Sequence, residues 1–234
     1  MLPVIQIGKY QIASYGLLIL VGFVAAIFLG IQLGKKRNLQ KEDVLFAFFY
    51  GILGVVVGGK LLYLMVNIPN LIVYREFLFQ NPEAFYGLLQ GGFVFYGGLF
   101  GGVYGIYRYC KRYQISIEAM FYTVIPGVPL IHGIGRIGCF AAGCCYGIEY
   151  HGIGSVTFEH SIVAPNQIPL FPVQLLESVL NIILFLFLLW QIKRGKDTLD
   201  LVLIYGFFYG LLRLILEFFR GDSERGIFFF FSTR

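Results

Sequence analysis

The residues that invite chemistry in this sequence are charged side chains lodged in long apolar runs. Tyr209, Arg213 and Glu217 recur at intervals of four, so a helix carries them on one face, with Arg220 three residues further on. Lys60 interrupts a second apolar run, His132 and Arg136 close another, and Glu177 opens the next. An ionisable group at bilayer depth costs ~2.5 to 3.5 kcal/mol on insertion scales, so each is a candidate for function until a structural partner explains it. Arg213 and Glu217 have one such explanation, mutual neutralisation as an i, i+4 pair, which leaves Arg220 over.

Arg136 lies in Gly133-Ile134-Gly135-Arg136-Ile137-Gly138. A glycine-rich stretch exposes backbone N–H groups, and a guanidinium binds oxyanions through two parallel N–H donors, so this stretch suits phosphate. The alternative is an arginine that reaches from a span end to lipid headgroups. Cys139, Cys144 and Cys145 follow at once, near His132 and His151. Zinc sites normally pair a C-x2-4-C with a second ligand pair elsewhere, so the spacing is a weak metal signal and no metal is assigned. A disulfide, or service as small apolar residues in a packed turn, are the other readings. Cys110 falls in a basic loop and is expected to be inert.

The elements that must position these groups are membrane spans. The 234 residues are 58% hydrophobic and 13% charged, where soluble domains carry about 25% charged residues. Uncharged or nearly uncharged stretches cover residues 12–34, 44–66, 85–107, 119–135, 178–192 and 201–219. The fold class is therefore all-α, a polytopic transmembrane helical bundle of six or seven spans with short outer-face segments, in one integral membrane domain over 1–234. Residues 67–90 and the proline-broken 161–176 are the places where a seventh span could hide. The first 14 residues lack a basic region and a cleavage site, so the first span is read as retained.

The net charge of +5 gathers in three loops, around Lys35 to Lys41, Arg108 to Arg112, and Lys193 to Lys196. That is the positive-inside pattern, and it sets those loops in the cytoplasm with residues 67–84 and 136–172 outside. No continuous basic face with stacking aromatics exists, which excludes nucleic acid as a partner. Gly54 and Gly58, Gly97, Gly101 and Gly105, and Gly98 and Gly102 are spaced by four, as close helix packing in lipid requires. Gly97 and Gly98, beside Tyr96, have a second reading as backbone open to a ligand. The Phe228 to Phe231 run reads as an interfacial anchor.

Five stretches together resemble the prolipoprotein diacylglyceryl transferase family. They are Ser14-Tyr15-Gly16-Leu17, Gly91 to Leu99, Gly135 to Phe140, Pro172 with Gln174, Leu175 and Glu177, and Tyr209-Gly210 through Arg213 to Glu217-Phe218-Phe219-Arg220. Gly59-Lys60 resembles the family's Gly-Arg in the second span. The resemblance implies a multi-pass enzyme of the bacterial cytoplasmic (inner) membrane. It implies transfer of the diacylglyceryl group of phosphatidylglycerol onto the lipobox cysteine thiol of a prolipoprotein signal peptide, with release of glycerol phosphate and with no cofactor. Arg136 and Arg213 correspond to its essential arginines. Tyr15 corresponds to its first-span tyrosine, and Tyr209 and Glu217 to its last-span tyrosine and glutamate. The expected catalytic residues are Arg136, Arg213 and Tyr96, and the expected substrate-binding residues are Tyr15, Lys60, Gly97, Gly98, Cys139, Gly143, Gln174, Glu177, Tyr209, Glu217 and Arg220.

The chain departs from the family at two places. Where the family often has a histidine in F-H-G-G, Tyr96 stands, with an unperturbed pKa of about 10 that suits it to orienting substrate rather than to taking a proton. Where the family reads G-N-F-x-N-G-E, Cys139, Ala142 and Cys144 replace two asparagines and a glutamate. The family's histidine before the proline is Phe171. Two other functions stay open at this point: a divergent lipid transferase whose thiols take part, and a non-catalytic lipid binder or transporter. Turnover of lipid separates the first from the second, and transporters commonly show paired halves that this chain lacks.

Overall fold

A computed structural model describes residues 4–7, 10–83, 87, 91–161, 163–221, 227–228 and 231–232. The chain opens with a hairpin of β1 (Val4–Ile7) and β2 (Tyr10–Ala13), paired antiparallel with Ile7 opposite Tyr10. Helices follow: α1 (Ser14–Lys35), α2 (Lys41–Val66), the short α3 (Ile68–Val73) and α4 (Arg75–Gln80), α5 (Phe95–Arg112), α6 (Ile117–Val124) and α7 (Gly127–Ala142). A small antiparallel pair, β3 (Val156–Thr157) with β4 (Pro169–Leu170), precedes α8 (Val173–Lys193) and α9 (Thr198–Glu217).

Five stretches are long and apolar enough to cross a membrane: α1, α2, α6 with α7 over Ile117–Ala142, α8 and α9. The protein is therefore a multi-pass membrane protein of helices. The expected third span, 85–107, lies partly outside the described residues. Its described helix, α5, begins at Phe95 and carries Arg108, Lys111 and Arg112 in its last turns, which lowers its apolar character below that of the other five. Cys110, expected in a loop, is buried in this helix. Phe229 and Phe230 of the expected anchor lie outside the described residues.

Two other boundaries move. The fourth span continues past Gly135 to Ala142, where Gly143, at φ +70°, caps the helix with its N–H on the Cys139 and Phe140 carbonyls. Arg136 thus sits within the last turns of α7 instead of after a helix. The fifth starts at Val173, because Pro172 has no N–H to offer a preceding turn and suits a helix entrance. Glu177 is consequently in the second turn of α8 rather than at its mouth.

The described chain gathers into two compact units, residues 1–44 with 118–224, and residues 45–117 with 225–234. In the first, α1 packs on α7, α7 on α8, and α8 on α9. Glycine permits the closest of these approaches. A Cβ on Gly138 would stand 3.1 Å from the Tyr15 Cα, and one on Gly22 would stand 3.2 Å from the Ile131 Cα. Leu33, Tyr122, Ile125, Leu184, Leu188, Ile192 and Leu201 form a buried core beside the loops around Lys35 to Lys41 and Lys193 to Lys196. There the Arg37 guanidinium lies 3.8 Å over the Tyr122 ring, and the Thr198 hydroxyl donates to the Glu118 carbonyl at 3.0 Å.

In the second unit α2 and α5 cross on glycine. A Cβ on Gly54 would collide with the Gly101 carbonyl, one on Gly101 with the Gly54 carbonyl, and one on Gly97 with the Gly58 carbonyl. Backbone-to-backbone contact supplies the dispersion attraction that lipid cannot, which is why the four-residue spacing recurs.

Candidate active site

The loops around Lys35 to Lys41 and Lys193 to Lys196 mark one end of the first unit, and Arg136 and Glu177 meet toward the other ends of α7 and α8. Glu177 projects from α8 and is 2% exposed at its side chain, and its Oε1 receives the Arg136 Nη2 donor from α7 at 2.9 Å. Two neighbours on the same face of α8 anchor this contact. The Ser178 hydroxyl donates to the Gly133 carbonyl at 2.7 Å, which ties α8 to α7 one turn below Arg136. The Asn181 amide donates to the Glu177 carbonyl at 2.8 Å. A desolvated carboxylate and guanidinium hold each other far more firmly than an exposed pair, because leaving either alone in low dielectric is expensive.

The other Arg136 nitrogen, Nη1, donates to the Cys139 Sγ at 3.9 Å. Cys139, Cys144 and Cys145 bring their three sulfur atoms within 4.8 Å of one another. Cys144 donates its N–H to the Cys139 carbonyl at 3.0 Å and its own carbonyl accepts from Gln174 Nε2 at 2.9 Å. Gly143 is locked between them, its carbonyl accepting from the Ser161 hydroxyl at 2.9 Å and the Ala164 N–H at 3.0 Å. The Cys144 pKa is raised. Its hydrogen bond with Cys139 lowers it, and the hydrogen bond with Cys145 together with burial outweighs that pull. His151, near in sequence, is instead paired with Glu149 at 2.9 Å.

From α9, Arg213 Nη2 reaches Glu217 at 2.9 Å, so the i, i+4 pair exists. Arg213 Nη1 is buried and, among the described residues, has no hydrogen-bond partner. Tyr209, one turn earlier, stacks on Tyr205 at 5.5 Å and lies obliquely against the His132 ring at 5.3 Å and 30°. The charges of Arg136 and Arg213 both bear on His132, and Arg136 also interacts electrostatically with Tyr209. The two arginines, 77 positions apart in the chain, therefore both lie near enough to one buried ring for their charges to act on it. Tyr15, in the first turn of α1, packs against Gly138 of α7, between Arg136 and Cys139 in sequence.

The end of α9 is sewn to the outer loop. Arg220 bridges Gly147, Phe219 accepts from the Ile148 N–H at 3.0 Å, and the Phe219 ring stacks on Phe171 at 5.0 Å. Thus Tyr15, Arg136, Cys139, Gly143, Gln174, Glu177, Tyr209, Arg213, Glu217 and Arg220 all belong to the first unit. Lys60, Tyr96, Gly97 and Gly98 belong to the second. There Lys60 donates to the Gly91 and Gly92 carbonyls and lies 5.1 Å over the Tyr63 ring, which fixes the entrance to α5. Gly97 and Gly98 face Gly58 and Phe93 in helix packing, and Tyr96 is half-exposed at the start of α5.

The sequence alone does not reveal the Arg136 to Glu177 pairing or the packing of His132 against Tyr209. The helix register held a signal for the first, since Glu177, Ser178 and Asn181 share one face of an otherwise apolar span.

Comparison with known proteins gives one family. The profile of prolipoprotein diacylglyceryl transferase matches residues 3–233. A phosphatidylglycerol-prolipoprotein diacylglyceryl transferase of Clostridium tetani is 38% identical over 228 residues, covering 97% of this chain and 88% of that one. Phosphatidylglycerol-prolipoprotein diacylglyceryl transferase 2 of Clostridium perfringens is 31% identical, covering 95% of this chain and 84% of that one. That of Idiomarina loihiensis is 31% identical, covering 94% and 80%.

Proposed function

The chain belongs to the prolipoprotein diacylglyceryl transferase family, and on that premise we propose that the convergence of Arg136 and Arg213 is where it cleaves phosphatidylglycerol. The protein is a transferase that takes phosphatidylglycerol and a prolipoprotein as substrates, as its relatives' names state for them. In the reaction, the acceptor cysteine sulfur attacks the glyceryl carbon that bears the phosphate ester. The carbon–oxygen bond breaks and glycerol phosphate leaves. The acceptor segment is the lipobox of a signal peptide, and the membrane is the bacterial cytoplasmic membrane.

Negative charge grows on the departing phosphate, so preorganised cations in a low-dielectric site lower the barrier most. Arg136 is held in place by Glu177, a positioning carboxylate. Arg213 keeps one buried N–H edge without a hydrogen-bond partner among the described residues. An unmade hydrogen bond from a buried polar group costs about 1 to 3 kcal/mol, and a phosphate oxygen recovers it. Gln174 Oε1 is likewise a buried acceptor without a partner there, suited to a headgroup hydroxyl. Tyr15, Tyr209, Gly143, Glu217 and Arg220 frame the same region, and Tyr96, Gly97 and Gly98 stand at the start of α5, whose approach Lys60 of α2 holds through the Gly91 and Gly92 carbonyls.

The observation that carries this assignment is the buried Arg213 Nη1 without a hydrogen-bond partner among the described residues, on the helix whose Tyr209 packs against His132, one turn before the Glu177-paired Arg136. Its test is complementation of a strain lacking the transferase. Rescue by the native chain, and loss of rescue by Arg136→Ala and by Arg213→Ala at equal membrane abundance, is expected. Rescue by either variant removes that arginine from the site.

A further inference from the structure

The three thiols beside Arg136 have no part in anion stabilisation, yet their sulfurs gather where α7 ends and the outer loop begins. Cys139 occupies the last turn of α7, Gly143 turns the chain at φ +70°, and Cys145 takes a left-handed φ of +55°. These turns fold Cys144 and Cys145 back until all three sulfurs lie within 4.8 Å. Tetrahedral zinc thiolate bonds of about 2.3 Å set sulfur atoms about 3.8 Å apart, so closing on a cation needs a shift of about an ångström. Among the described residues no His, Asp or Glu joins the group. Three protein ligands and one open position is the arrangement of a catalytic rather than a structural zinc.

We propose that Cys139, Cys144 and Cys145 bind one thiophilic cation of the Zn2+ class, whose open position takes the acceptor cysteine as a thiolate. The assignment rests on the transfer reading above and deepens it. An ordinary thiol has a pKa of about 8.5 and is mostly protonated at neutral pH, whereas a thiol that coordinates a divalent cation loses its proton outright. Tyr96 offers no such base. Three thiolates and Zn2+ carry a net charge of −1, and Arg136 Nη1, already directed at Cys139 Sγ at 3.9 Å, supplies the outer hydrogen bond that such a ligand wants.

The acceptor R–SH displaces water from the cation and releases its proton to solvent. Its sulfur then bonds to the glyceryl carbon as the carbon–oxygen bond breaks. That electron pair stays on the phosphate oxygen of glycerol phosphate, facing the arginines. The thioether product, a weak ligand, leaves, and water returns. No electron is gained or lost by the metal.

The test uses the full-length protein, reduced, stripped by chelator in detergent, and titrated with Co2+, whose bonds to thiolate give intense charge-transfer absorption. One Co2+ per chain, displaced by Zn2+ and lost in Cys144→Ser and Cys145→Ser, is expected. Zn2+ protection of these cysteines from alkylation in the native chain gives the same answer without a variant. Transfer from phosphatidylglycerol to a lipobox peptide should fall on the order of 100-fold on chelation and return with Zn2+. Absence of both charge-transfer bands and protection overturns the site, as does a Cys139–Cys144 disulfide in a protein that takes up no Co2+ once reduced. Co2+ binding with transfer indifferent to the metal overturns the acceptor role and leaves the transferase intact. Phosphatidylglycerol consumed by neither form refutes the transfer reading itself and the acceptor role with it.

Discussion

Replacing Glu177 by alanine strips the Arg136 guanidinium of its counter-charge in a place that water barely reaches. The carboxylate side chain is 2% exposed and the guanidinium side chain 18%, at 2.9 Å separation. Removing one member of a buried pair costs about 3 to 5 kcal/mol. In a domain of 150–250 residues about 1 kcal/mol moves the midpoint by roughly 2 to 4 °C, so Glu177→Ala should melt roughly 6 to 20 °C lower. Glu177→Gln keeps the shape and one acceptor, and its loss should be smaller, about 1.5 to 3 kcal/mol for a charged hydrogen bond. The double variant Arg136→Met with Glu177→Leu removes both charges and should recover most of the loss, since apolar packing replaces such pairs at little cost. Far-UV ellipticity followed on heating in detergent micelles reads all three. A Glu177→Ala midpoint within about 3 °C of the native one, or a double variant as unstable as the sum of its singles, refutes the claim that this pair is desolvated.

Gly101→Leu drives a side chain into the Gly54 carbonyl and should cost about 1 to 3 kcal/mol or more by the same melting assay, whereas Gly206→Ala, with nothing within 4 Å of its Cβ, should be neutral or stabilising by up to about 1 kcal/mol; equal effects would mean that glycine spacing is compositional. In the reduced, metal-free protein the thiolate of Cys144 is the reacting form and its pKa is raised, so maleimide labelling at this residue should be slow at pH 7 and keep rising through and above the ordinary thiol range of about 8.5. A labelling rate that levels off below that range is the contrary result.

The spans were legible because hydrocarbon leaves a helix no alternative but to satisfy its own backbone, and five of the six uncharged runs are, among the described residues, helices long and apolar enough to span. Their ends were less legible. α7 runs about two turns past the uncharged stretch, which ends at Gly135, and takes Arg136 into regular helix, because a guanidinium paired to Glu177 no longer needs the water that would end the helix. α8 likewise admits Glu177 into its second turn. A charge pattern read along one strand of sequence marks a span boundary at each ion, and two ions that meet across helices erase both boundaries together.

The same argument separates what the candidate site revealed from what it hid. Tyr209, Arg213 and Glu217 announced themselves by a period of four on one helix, and the structure keeps them on one face with the Arg213 to Glu217 pair made. The Arg136 to Glu177 pair spans 41 positions and two helices, so no local period encodes it. The thiol cluster lies between these cases. Its spacing, C-x4-C-C, is no metal signature by itself, and only the left-handed turns at Gly143 and Cys145 bring its sulfurs together. Left-handed backbone at a residue with a side chain is uncommon, and glycine at 145 would adopt it without strain. That a cysteine stands there is the sense in which the turn serves its sulfur, and it is why Cys145 rather than Cys110 is the thiol whose replacement should change what this protein binds.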